Sequence, residues 1–298
     1  MRSNLFLLFC LLVLCFTSCQ KSIEWNDLVL TPTTPTTPTT PGGGTTTGSL
    51  LVKAVSLSLT DTLTEMYSYD ASNKIIKTQT VGTSSGSKVD MSNIYTRNSS
   101  GNITKYVQIN YSASSFNASG YDTTVTVIHY PTGSSNFDYV LTQQEFLGFV
   151  FSDSTVFTYT AGKITRQTSY MTDLLTGGYI INQYLDYTYD ANGNVTSAKT
   201  YSYTTGTTAD LVATYTFAYD TKKSPLVMGN EAFIISSPPS YGPNNFTKYD
   251  VVDVTTPLNS LYISSKYNYN ANSYPSDATI TATRAGISLV TKSTLFYQ

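Results

Sequence analysis

Tyr187-Thr188-Tyr189-Asp190-Ala191-Asn192-Gly193-Asn194-Val195-Thr196-Ser197 is the stretch that decides the fold, because its pattern returns five more times along the chain in weaker form. Leu185, Tyr187 and Tyr189 alternate with Asp186 and Thr188, so an extended strand here has one aromatic or apolar face and one polar face. Asp190-Ala191-Asn192-Gly193 carries the chemistry of a type I turn, with an Asp that caps the turn at its first position and a Gly free to take positive φ at its fourth. A left-handed Gly193 ends the turn in a bulge, and the return strand starts at Val195. The unit is a β-hairpin.

Aligned on its second tyrosine, the unit recurs. Residues Tyr67–Ile75 hold Tyr69 and Asp70, with Asn73 in the Gly193 slot and Ile75 in the Val195 slot; Asn is the next best residue for positive φ. Residues Tyr95–Ile103 keep Gly101 and the apolar return residue but carry Arg97 where the tyrosine belongs. Phe157–Ile164, with Tyr159 and Gly162, is one residue shorter in the turn. Phe217-Ala218-Tyr219-Asp220 and Tyr267-Asn268-Tyr269-Asn270 begin alike but reach Pro225 and Pro275 where an apolar residue should stand, and read as copies that have drifted at the return strand. The anchors at 69, 97, 159, 189, 219 and 269 are spaced 28, 62, 30, 30 and 50. That is a period near 30 with one copy missed, and Tyr130 sits in its place. Such a period leaves room for two strands of about ten residues and two connections. The expected fold is all-β, an antiparallel meander of consecutive hairpins curled into an open or closed barrel-like sheet. Its tyrosines fill volume and leave hydroxyls that must find partners, in an interior either solid or hollow.

Residues 1–19 read as a lipoprotein signal peptide and not as part of the fold. Arg2 supplies the positive charge, Leu5–Phe16 the apolar core, and Phe16-Thr17-Ser18-Cys19 has the form of a bacterial lipobox with Cys19 as the acylated residue. The apolar run is too short to span a bilayer, and an ordinary signal peptide cut near Ser18 is the competing reading. Cys10 and Cys15 fall in the segment to be removed, leaving Cys19; no disulfide, thiol nucleophile or Cys-based zinc site is expected. Residues 20–48, rich in Thr, Pro and Gly and holding Trp25, the only tryptophan, form a tether that extends about 3.1 Å per residue where Pro-rich. Residues 49–298 form the repeat-built β domain.

Charged residues make up 12% of the chain and the net charge is −2, which leaves no electrostatic footprint for nucleic acid. His129, the only histidine, sits in the strand-like run Val125–Tyr130, and without a second His or a Cys no conventional transition-metal site or Ser-His-Asp triad assembles. Asp190-x-Asn192-x-Asn194 opens like a calcium loop but has Val195 where the sharp-turn Gly belongs and Tyr201 where the bidentate Glu belongs, so it reads as a turn. A glycoside hydrolase would need two carboxyls facing each other at about 5 Å or about 6.5–9.5 Å, and the acids that the pattern places, Asp70, Asp190 and Asp220, are turn residues. No cofactor is expected. Ser236–Asn245 is the longest break in the strand pattern, a connector or a binding loop.

The Tyr-x-Tyr-Asp-x-x-Gly-x-Val pattern resembles the YD-type repeats of rearrangement-hotspot and teneurin proteins. The whole chain is more closely similar to a family of Bacteroidota lipoproteins with a porin-like β fold. That resemblance rests on the lipobox, the tether, the hairpins and an ordered ending: Tyr219–Leu226, then Pro243–Lys248, then Tyr267–Pro275. It implies a long sheet of hairpins curled into a barrel and brings no activity or functional residues. Asp61-Thr62-Leu63, Asp122-Thr123-Thr124 and Asp153-Ser154-Thr155 also match the acceptor pattern of O-glycosylation in these bacteria. The functional expectation is a non-enzymatic binding or structural module of the cell envelope, held to the outer membrane through Cys19, with glycan as the preferred ligand and an envelope protein as the other partner class. The alternatives are a hydrolase acting on polysaccharide and a membrane-spanning barrel. Against spanning, Val195, Ser197, Lys199, Tyr201 and Tyr203 share one face that is not apolar, where a lipid-facing strand needs an apolar one.

Overall fold

The computed structural model describes residues 49–59, 61–112, 122–146, 149–172, 178–203, 208–226, 228–236 and 241–298; the lipobox, the tether and Trp25 lie outside them. Sixteen strands follow one another: β1 (Leu51–Ser58), β2 (Asp61–Tyr69), β3 (Ile75–Ser84), β4 (Ser87–Arg97), β5 (Ile103–Asn110), β6 (Asp122–His129), β7 (Tyr139–Phe146), β8 (Phe149–Thr160), β9 (Lys163–Thr172), β10 (Tyr179–Tyr189), β11 (Val195–Ser202), β12 (Asp210–Lys223), β13 (Asn244–Asp253), β14 (Leu261–Tyr269), β15 (Pro275–Arg284) and β16 (Ile287–Tyr297). Each pairs antiparallel with the next, and β1 pairs with β16, so the meander is a closed barrel. Closure removes the two edges that an open sheet would leave unpaired. One helical turn, α1 (Ala232–Ile235), interrupts the run of strands between β12 and β13.

Period-two alternation sorts the side chains of every strand onto two faces, and contacts across the barrel identify the inner one. Phe233 of α1 packs edge-on against Tyr187 of β10 with ring centroids 5.1 Å apart. Tyr187 therefore points inward, and the pairing of β10 with β11 and of β11 with β12 puts Ala198 and Tyr215 beside it. The buried inward aromatics Tyr67, Tyr95, Phe157, Tyr187, Phe217, Tyr249 and Tyr297 all lie near the end where β2 meets β3, β4 meets β5 and so on round the barrel. Nearer the opposite end, inward positions such as Leu63, Glu65, Met91 and Thr124 keep partial exposure. The barrel is packed at one end, which we call the rim.

The outward face of β8 to β13 carries polar and charged residues. One hydrogen-bonded row runs Thr158, Arg166, Asp186, Lys199, Thr214, Val252 across β8 to β13. Arg166 and Asp186 form an exposed two-pronged ion pair at 2.6 and 2.8 Å, with the guanidinium 4.2 Å over the ring of Tyr184. Tyr184 in turn stacks on Tyr201 at 4.7 Å.

Candidate functional site

The repeated motif builds the rim. In each four-residue turn the first side chain accepts backbone N–H groups: Asp70 from Ser72 and Lys74 at 2.8 and 2.9 Å, Asn98 from Ser100 and Asn102 at 3.0 Å, Asp190 from Asn194 at 2.9 Å, and Asn270 from Asn272 and Tyr274 at 3.0 and 3.1 Å. The fourth position is left-handed throughout, at φ 60° for Asn73, 78° for Gly101, 93° for Gly193 and 65° for Ser273. The shorter copy turns on Ala161 and Gly162, both at positive φ, as a two-residue hairpin requires. Backbone donors hold the Asp70 carboxyl below its ordinary value, the bond from Lys74 foremost. At Asp190 burial pushes upward, yet the hydrogen bonds from Asn194 win and hold it low. Such carboxylates serve as turn caps. Asn194 also donates to Asp190 at 2.9 Å, so the calcium-like spacing holds a side-chain amide. Among the described residues no cluster of three His, Cys, Asp or Glu could hold a metal.

All six anchors, Tyr69, Arg97, Tyr159, Tyr189, Tyr219 and Tyr269, stand at a register shift in the ladder to a neighbouring strand. A bulge adds twist and tips the strand end inward, separating neighbouring hairpins and orphaning carbonyls there. Four of the anchor side chains hydrogen-bond backbone carbonyls at this end. Tyr69 donates to Leu51 O, Tyr159 to Phe137 O and Tyr189 to Ile164 O. Tyr297 and Tyr267 do the same to Pro275 O and Phe246 O, and Tyr269 donates to the carboxylate of Asp220. Burial pushes the hydroxyls of Tyr69, Tyr159 and Tyr189 well above the usual phenol range, so they remain donors. The copy at Tyr269 is not drifted at its return strand: Pro275 begins β15, is fully buried and pairs with Tyr269. The bulge places Pro275 where its missing N–H costs no ladder bond.

Arg97 departs from the tyrosine column and does more than a tyrosine could. Its Nε donates to Ile75 O at 3.1 Å, the bond that a tyrosine makes elsewhere. Its Nη1 reaches Gly101 O at 2.8 Å and both carboxylate oxygens of Glu231 at 2.9 Å. Glu231 Oε1 also accepts from the N–H of Ile103 at 3.0 Å. Glu231 belongs to the connection between β12 and β13, whose described residues 224–226, 228–236 and 241–243 lie at the rim and which we call the plug. Phe233 of the plug stacks on Tyr241 at 4.0 Å. Asn230 donates to Gly162 O and to Asn136 at 3.1 and 3.3 Å. Where the plug rejoins the barrel, Gly242 lies so close to Asn194 that a Cβ there would sit 2.3 Å from its Oδ1.

Between the plug and the ends of β2 to β6 lies a cavity of about 450 Å³ whose lining includes Tyr69, Lys74, Arg97, Asn102, Tyr130 and Asn136. The hydroxyl of Tyr130 is buried there without a hydrogen-bond partner among the described residues, and burial followed by the charge of Glu231 pushes it up to about 12. His129 faces outward, 2.6 Å from Asp138 and stacked on Tyr139. Two acids on the inner face titrate high, Glu65 through burial and Asp153, raised by burial to about 6.

The structure thus gathers Tyr69, Asp70, Gly101, Tyr159, Gly162, Tyr189, Asp190, Gly193, Tyr219, Asp220 and Tyr269 at one rim, while Cys19 lies outside the described residues. Glu231 and the cavity went unread in the sequence. The available signals were the Arg in a Tyr column and the single acid in residues 224–243.

No family model matches the chain, and no curated protein matches it. Among solved structures, a porin-like protein from Bacteroides uniformis is similar with a TM-score of 0.49 and 9% identity, over 82% of this chain and 97% of that one. A porin-like protein from Bacteroides vulgatus is similar with a TM-score of 0.43 and 14% identity, over 84% of this chain and 98% of that one. The barrel itself is established by its own strand pairing.

Proposed function

We propose that this chain is a non-enzymatic binding module of the outer membrane, anchored by lipid at Cys19 and carrying a barrel that stands in water. One observation carries the reading: the outward row with Arg166, Asp186 and Lys199 on adjacent strands. Each Arg or Lys facing lipid at mid-bilayer costs about 2–4 kcal/mol, and the row continues into Thr214 where an apolar belt would be needed. Lys248 and Asp250 add another outward ion pair on β13. A closed barrel with a plugged rim and a solvated wall suits capture or display, and a thioether-linked lipid supplies the membrane attachment that the wall does not.

Fractionation tests this. Cys19→Ala is expected to move the protein from the membrane pellet to the soluble fraction, and the released protein to stay monodisperse without detergent. A Cys19→Ala protein that remains in the membrane and needs detergent to stay folded would overturn the reading in favour of a spanning barrel.

A further inference from the structure

We propose that the rim cavity is the binding site of a neutral saccharide of one or two rings. The inference deepens the reading as a binding module and does not depend on the anchor. At about 450 Å³ the cavity falls within the range of small-molecule sites, about 300–1,000 Å³. Its polar groups come from separate elements: Asn102 from the β4–β5 turn, Asn136 from the β6–β7 connection, Asn230 from the plug and Tyr130 from the end of β6. The Asn102 carboxamide makes no hydrogen bond within the described residues, and Tyr130 holds a buried hydroxyl with no partner. A buried unpaired hydroxyl costs about 1–3 kcal/mol, and a ligand that supplies the missing partner relieves it.

Charge narrows the class. Arg97 and Glu231 neutralise each other, and the ammonium of Lys74 is engaged by Gly101 O at 2.8 Å. Among the described residues the lining has no free carboxylate to reward a cation, and its one cation outside the ion pair is already hydrogen-bonded to the chain. What remains is carboxamides, hydroxyls and the ring of Tyr69. Alternating hydroxyls and C–H faces are what such a lining satisfies.

The test is a titration of the full-length protein, in a detergent without a sugar headgroup, with maltose, cellobiose and lactose and with a uronic-acid disaccharide, followed by saturation-transfer NMR and calorimetry. At least one neutral sugar is expected to bind more tightly than the uronate. Tyr130→Phe and Asn102→Ala are each expected to weaken it about fivefold, the loss of one neutral hydrogen bond, without lowering the Tm. Absence of signal for every neutral sugar at 20 mM, tighter binding of the uronate, or binding unchanged in both variants would overturn the proposal. Each of those results leaves the fractionation of Cys19→Ala standing on its own.

Discussion

Arg97→Met tests whether the ion pair holds the plug. Met keeps the aliphatic stem but removes the donors to both Glu231 oxygens, to Gly101 O and to Ile75 O. Glu231 is left with the N–H of Ile103, while Gly101 O still receives the ammonium of Lys74 at 2.8 Å. Removing one partner of a buried pair costs about 3–5 kcal/mol. Here the Arg97 side chain is 8% exposed and that of Glu231 20%, and the adjoining cavity admits water to the abandoned carboxylate. The expected loss is therefore about 2–4 kcal/mol, or roughly 4–16 °C in Tm at about 2–4 °C per kcal/mol for a domain of this size. Urea unfolding followed by circular dichroism measures the loss, and limited proteolysis is expected to cut within residues 224–243. The double variant Arg97→Met/Glu231→Met removes both charges and should recover much of the deficit, because an apolar pair at such a site is close to neutral. A single-variant loss below about 1 kcal/mol, with the plug still protease-resistant, or strictly additive losses in the double variant, would refute the latch.

Four further outcomes follow from the same geometry. Tyr189→Phe deletes the bond to Ile164 O while keeping the ring, and should cost about 1 kcal/mol in urea unfolding. Ser273→Gly relieves a left-handed serine at φ 65° and should stabilise by about 0.5–1 kcal/mol; a drop in Tm would contradict the turn assignment. Gly82→Ala places a Cβ 1.9 Å from Thr62 O, which parts β2 from β3, and a barrel that tolerates it with an unchanged Tm would contradict the pairing. Asp153, raised by burial to about 6, binds its proton more tightly folded than unfolded. Its contribution to stability is complete below the unfolded value near 4 and is lost as the pH rises through about 6. Asp153→Asn should therefore stabilise at pH 7.5 by about 1 kcal/mol after allowance for its exposure and change little at pH 4, and the reverse pH order in thermal melts would contradict it.

The strands and turns were legible because they are local. Alternation over Leu185–Tyr189 and an Asp-x-x-Gly turn specify a hairpin without knowledge of its neighbours, and Ser273 or Asn73 in the glycine slot is a substitution of degree. Pro275 misled because a proline inside a strand pattern argues against a strand, and only the register shift at Tyr269 shows that no N–H is required there. Closure was not legible, since the pairing of Leu51–Ser58 with Thr291–Tyr297 joins the two ends of the domain and leaves no short-range signature. The cavity depends on the same kind of long-range fact. Tyr130 marks a missed repeat in the sequence, but the cavity at its hydroxyl is lined by Asn230 and Glu231, a hundred positions away.

The position of the plug follows from the logic of the repeat. An insertion at a hairpin end leaves the ladder beyond it intact, and β12 still pairs with β13 from Ala213 opposite Asp253 to Ala218 opposite Lys248. Lengthening that connection from about four residues to about twenty costs only about 1.4 kcal/mol of loop closure, because the cost grows with the logarithm of length. Burial of Phe233 against Tyr187 and Tyr241 alone offsets that, at about 1.5–3 kcal/mol for a fully buried aromatic. Apolar burial fixes depth but not register, since a greasy segment can slide. Arg97 supplies the register: a tyrosine there would satisfy Ile75 O and stop, whereas the guanidinium satisfies the same carbonyl and has donors left for Glu231. The one charged residue in the anchor column and the one charged residue in the plug meet because each would be uncompensated in that wall without the other.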